Sequence, residues 1–165
     1  MDAISLLKED HRQVDRLFRE IERAKGKGME KVAPLVEQVL RELTVHSSLE
    51  KSIVYPAFRK APGANELILQ FLEEHHLVAV VMQEIEGLDM RDERMPAKIK
   101  LLKDLVQHHF QEEEAQLFPQ AREICGEDRL KQLGEQIEEA KPRLQEKEAK
   151  LRITMSPLEQ LHEHR

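Results

Sequence analysis

The chain has 165 residues, 40% of them apolar and 35% charged, with a net charge of −6. That length supports one domain with a sizeable core, six Gly and six aromatic residues argue against an all-β protein, and the acidic balance favours neither nucleic acid nor an anionic membrane as partner. The longest apolar run, Leu77 to Met82, is far too short to span a bilayer; the start lacks a secretory signal, and the lone Cys125 fits a reducing compartment, so a cytoplasmic location is expected.

Apolar residues then recur at alternating steps of three and four, the period of a helix packed along one face. The first segment, 3–25, carries Ile4, Leu7, His11, Val14, Phe18 and Ile21, with Asp2 placed as N-cap. After "KGKGME", the second (30–55) carries Val32, Val36, Val39, Leu43, His46, Glu50 and Ile53. After "YPAFRKAPGAN", the third (64–90) carries Ile68, Phe71, His75, Val78, Met82 and Ile85. The fourth (96–118), beyond "LDMRDERMP", carries Ile99, Leu102, Val106, His109 and Glu113. Short connections make neighbours antiparallel, which predicts an all-α, up-down-up-down four-helix bundle over residues 1–125. A short helical turn through Cys125 follows. An additional C-terminal helix (126–153) starts near Asp128, solvated on one side, with Pro142 expected to kink or break it. It is expected to lie on the bundle or to offer a surface for a protein partner or self-association. Residues 154–165 are expected to be a flexible tail.

The seams contain an internal repeat. His11-x2-Val14-x2-Leu17-Phe18-x2-Ile21 matches His75-x2-Val78-x2-Val81-Met82-x2-Ile85, and an acid precedes each histidine, Asp10 and Glu74. His-x3-Glu-x4-aromatic-Pro occurs twice, from His46 and from His109, 63 residues apart. The chain reads as a duplicated helical hairpin.

Four positions along a helix is about 6 Å and a little past one turn, so His46 and Glu50, like His109 and Glu113, present donors side by side. In antiparallel neighbours the early His11 and His75 fall at the same depth. Ionised carboxylates in a core are costly unless paired or metal-bound. Four imidazoles and two carboxylates at one level suit two borderline divalent metals, above all iron. Two histidines for each metal and two bridging carboxylates leave positions open for a small ligand. His76 and His108 lie off the seams and are expected in solvent or behind the donors. Tyr55 and Phe118 should pack at the helix ends, with the Tyr55 phenol a candidate for standing near the metals. Cys125 reads as an inert small side chain, and "HEH" at 162–164 has no supporting partners.

The order His, His-x3-Glu, His, His-x3-Glu, with the contexts "KEDHRQVDRLF", "EEHHLV" and "EEEAQLFP", resembles the hemerythrin-like (HHE cation-binding) family over about residues 1–125. The resemblance implies a diiron centre, oxo- or hydroxo-bridged, with dioxygen, peroxide or nitric oxide as small ligand. Two departures stand out. Oxygen-carrying members place a second histidine four residues along the third helix, where this chain has Ala79; Tyr55 or Glu74 could supply another donor. Their fourth-helix carboxylate comes five residues after the histidine, which selects Glu114. The internal repeat, with Lys51 at that spacing, selects Glu113. The leading expectation is a diiron protein that binds dioxygen or a related molecule. The alternatives are an iron- or oxygen-responsive regulatory module and a peroxide-consuming enzyme.

Overall fold

A computed structural model describes residues 1–155, with side chains through Arg152. All regular structure among the described residues is helical. The elements are α1 (Ala3–Ala24), α2 (Met29–Leu49), the one-turn α3 (Tyr55–Phe58), α4 (Ala64–Glu86), α5 (Met95–Glu112) and α6 (Phe118–Met155). Asp2 caps α1 as expected, its carboxylate accepting from the Ser5 N–H at 2.8 Å. No helix among the described residues is long and apolar enough to cross a membrane.

The bundle consists of α1, α2 with its extension through α3, α4, and α5; α1 packs on α2 and α4 on α5. The third helix stops at Glu86 rather than 90, because Gly87 to Asp89 leave the helix and Leu88 N–H turns back to Ile85. Two π-helical turns interrupt the long helices, Glu50–Val54 after α2 and Glu113–Leu117 after α5. Both begin at the glutamate of the repeated motif and close at its aromatic residue. The Tyr55 N–H reaches the Glu50 carbonyl, and the Phe118 N–H reaches that of Glu113. A proline follows each time, at 56 and 119. Proline donates no N–H and crowds the carbonyl four residues back, so a wider turn just before it relieves both problems. The wide turn also shifts the buried face: Val54 is buried and Ile53 only half so, the reverse of the periodic expectation.

The first segment of α6 leads to Gly126, whose φ of 74° breaks the helical backbone; the remainder then runs back along α1 and α2. Of the expected kink or break at Pro142, a break does not occur, since helical backbone persists through it. The proline's missing N–H removes the usual helical donor to the carbonyl of Glu138, a residue on the exposed side. Leu130, Leu133 and Ile137 of α6 are buried in one cluster with Ala3, Ile4, Leu7, Leu49 and Phe58. Gly134 lets α6 meet the N-terminal segment, since a Cβ there would clash with the Met1 carbonyl oxygen. Thr154 and Met155 still belong to α6. The rest of the expected tail, with "HEH" at 162–164, lies outside the described residues.

The core falls into two apolar clusters. One is built around Tyr55, Phe58, Phe71 and Phe118, the other around Val14, Phe18, Val36, Leu102 and Phe110. Between them lies a polar layer.

Candidate metal centre

The polar layer is made by the six seam residues singled out above. His11, His46, His75, His109, Glu50 and Glu113 are all buried, and both glutamates are 0% exposed. α1 and α4 each supply one histidine. α2 and α5 each supply a histidine in their last turn and a glutamate at the start of the adjoining π turn.

Every histidine directs Nε2 into the layer. His46 Nε2 lies 3.0 Å and His75 Nε2 3.3 Å from Glu50 Oε1. His11 Nε2 lies 3.3 Å and His109 Nε2 3.4 Å from Glu113 Oε1. Each Oε1 therefore sits between one histidine of each hairpin. His75 and His109 also bring their Nε2 atoms to 3.1 Å of each other. Despite these approaches, five inward atoms have no hydrogen-bond partner of acceptable geometry: His11 Nε2, His46 Nε2, Glu50 Oε1 and Oε2, and Glu113 Oε1. Buried polar atoms are rarely left this way. Two overlapping groups can each hold a cation, with donor atoms within 4.8 Å of one another: Glu50, His75, His109 and Glu113; and His11, His46 and Glu113. Glu113 is common to both.

Behind the layer each histidine Nδ1 meets an oxygen: Asp10 Oδ2 at 3.0 Å from His46, Glu74 Oε1 at 2.8 Å from His109, Glu114 Oε2 at 3.3 Å from His11, and Ser47 Oγ at 3.0 Å from His75. An Nδ1–H donating to that oxygen fixes the tautomer and turns the Nε2 lone pair inward. Glu74 and Glu114, candidates for additional donors, thus sit on the far side of the rings, and Glu114 is 38% exposed. Asp10 and Ser47 were not singled out as site residues. The acid preceding each histidine in the repeat was a signal for Asp10; nothing comparable marks Ser47. Lys141 of α6 pairs with Asp10, so the C-terminal helix reaches the support of His46.

Tyr55 does stand in the site. Its O–H donates to Glu113 Oε2 at 2.6 Å and lies 3.2 Å from His75 Nε2. Phe118, its counterpart in the repeat, stacks on His11 with ring centroids 5.9 Å apart. His76 and His108 are exposed. Cys125 is half-buried, and burial pushes its thiol up.

Charge is distributed unevenly. Burial raises the Glu113 carboxyl and the nearby Glu50 carboxylate raises it further. Burial also works to raise Glu50, but His46 overcomes it and holds Glu50 well below the ordinary carboxylate range. Burial and the two carboxylates push the Tyr55 phenol far up, so it remains a donor. For His46, burial lowers the pKa, yet Glu50 and Asp10 outweigh it and the net shift is upward.

A helical bundle with a buried layer of imidazole and carboxylate donors defines a metal-binding bundle. The sequence profile described as Hemerythrin HHE cation binding domain matches residues 2–121, and the chain belongs to that family. Its fold is similar to the crystal structure of an HHE cation binding domain-containing protein from Mycobacterium kansasii, with a TM-score of 0.79, 24% identity and 89% of each chain covered. It is also 22% identical over 147 residues to a DNA nickase of Nostoc sp. (strain PCC 7120 / SAG 25.82 / UTEX 2576). That match takes in 89% of this chain but 41% of the relative, so the chain spans less than half of the length of that protein.

Proposed function

We propose that the chain is a non-haem diiron protein whose site binds dioxygen or a related small molecule, peroxide or nitric oxide. The observation that carries this reading is the set of five buried inward atoms without hydrogen-bond partners. Such atoms are costly unless a cation completes them, and the donor set, imidazole with carboxylate, suits iron. His11 and His46 would hold one iron and His75 and His109 the other, with Glu50 and Glu113 shared between them. When bound, the metals supply electrons and Lewis acidity to the small ligand.

The protein's own residues do the rest. Asp10, Glu74, Glu114 and Ser47 hold the four imidazoles in one tautomer and orientation. Tyr55 keeps its proton on the phenol oxygen and fixes Glu113 by donating to Oε2. Phe71, Phe110 and Phe118 pack their rings against His109 and His11. A nucleic-acid role in the manner of the Nostoc relative has no such support, since a net charge of −6 opposes a phosphate backbone.

The test is the visible spectrum and iron content of aerobically purified protein, before and after peroxide or nitric oxide. The proposal expects iron-dependent absorption that changes with the added ligand. Iron-loaded protein whose spectrum is unchanged by both peroxide and nitric oxide would contradict it.

A further inference from the structure

A cleft of about 200 Å³ lies between α2, α4 and α5 and reaches the polar layer from one side. Its floor includes Glu50 and His75, and its walls include Val78, Ala79, Met82, Val106 and Phe110. On the His11 side the layer is packed by side chains. There Phe110 stacks on His11 with ring centroids 3.8 Å apart, Phe118 lies beyond, and the Tyr55 hydroxyl is engaged with Glu113. Val78 and Met82 are seam residues by period, yet both are only half-buried because they face this cleft. Ala79, one turn after His75, carries the smallest side chain in the wall.

We propose that this cleft is the passage and binding chamber for a neutral diatomic ligand, and that Ala79 and Met82 set its width. The proposal rests on the diiron reading above. The walls are mainly apolar, and two of the hydroxyls along them are already engaged: the Thr44 hydroxyl donates to the Leu40 carbonyl, and Ser47 pairs with His75. A neutral molecule of the size of dioxygen or nitric oxide crosses such a passage at little cost, whereas an anion must shed hydration. The volume suffices, since a water's share of the liquid is about 30 Å³. Lys51 also lines the cleft, but it is exposed at the rim and offers no cation inside.

Two measurements on the iron-loaded protein test this. Xenon-pressurised crystals should show xenon in the cleft of the wild type and none there in Ala79→Leu. In stopped flow, nitric oxide association should slow by about tenfold in Ala79→Leu at unchanged iron content, as expected when a gate rather than the site is altered. Val80→Leu, on the exposed side of the same helix, should match the wild type. Xenon absent from the wild-type cleft, or an iron-replete Ala79→Leu that associates at the wild-type rate, overturns the proposal. If Ala79→Leu cannot hold iron, Met82→Ala decides: faster association supports the passage, and an unchanged rate overturns it. Failure of the diiron reading looks different, because a wild type lacking two irons would still take up xenon in the cleft.

Discussion

At the scale of single residues, the decisive choice lies on α5 and its π turn. Three consecutive glutamates, 112 to 114, offer carboxylates, and only Glu113 is fully buried with an oxygen close to two imidazoles. Glu114 instead braces the outer nitrogen of His11. We therefore expect a graded series in iron retention against a chelator. Glu113→Ala should fail to retain the pair. Asp10→Asn, which removes the carboxylate behind His46, should weaken retention by about 10- to 100-fold. Glu114→Ala should be milder than Glu113→Ala; equal losses or the reverse order would contradict the shared role of Glu113. The symmetry of the two hairpins made Glu113 legible from sequence, as did the acids at 10 and 74. What those acids touch was not legible, because each reaches a histidine on a neighbouring helix rather than the one beside it in sequence.

At the scale of elements, the four seams were readable because a 3.6-residue period persists over five or six turns. The π turns were not. One extra residue in one turn is lost in the alternation of threes and fours, and its trace is the paired proline, which also reads as a simple stop. The same limit applies to α6. Its apolar stripe was visible, but its docking depends on a close backbone approach at Gly134, which no pattern announces. That approach yields a prediction. Gly134→Ala places a methyl against the backbone of Met1 to Ala3, so one of the two segments must move. Chemical denaturation should show a loss of about 1–3 kcal/mol, the usual range for overpacking. A neutral or stabilising result, as expected for a Gly→Ala change on an open helix, would mean that α6 does not sit against the N-terminus.

At the scale of the whole molecule, the polar layer divides the hydrophobic core and links metal to fold. Without metal, the buried groups share protons. His46 and His109 are lowered by burial but raised more by Glu50 with Asp10 and by Glu113 with Glu74, so both retain protons to higher pH than a free imidazole. That contribution to the metal-free fold is complete below the ordinary imidazole value and fades as pH rises through the folded values. Metal needs the same nitrogens unprotonated, so stabilisation by iron should grow over that rising range. Hydrogen exchange should show where the stabilisation falls. Protection should increase with iron around 46–55 and 109–118, while the cluster around Val14, Phe18 and Ile85 stays protected in both states. Unchanged protection at 46–55 and 109–118 would separate the site from the fold.

If four histidines and two glutamates form one dinuclear centre, iron stoichiometry after anaerobic reconstitution must reflect it. The arrangement of two overlapping donor groups with Glu113 in common predicts close to two irons per chain, both lost together on chelation. A value that settles at one, or at none, would contradict it.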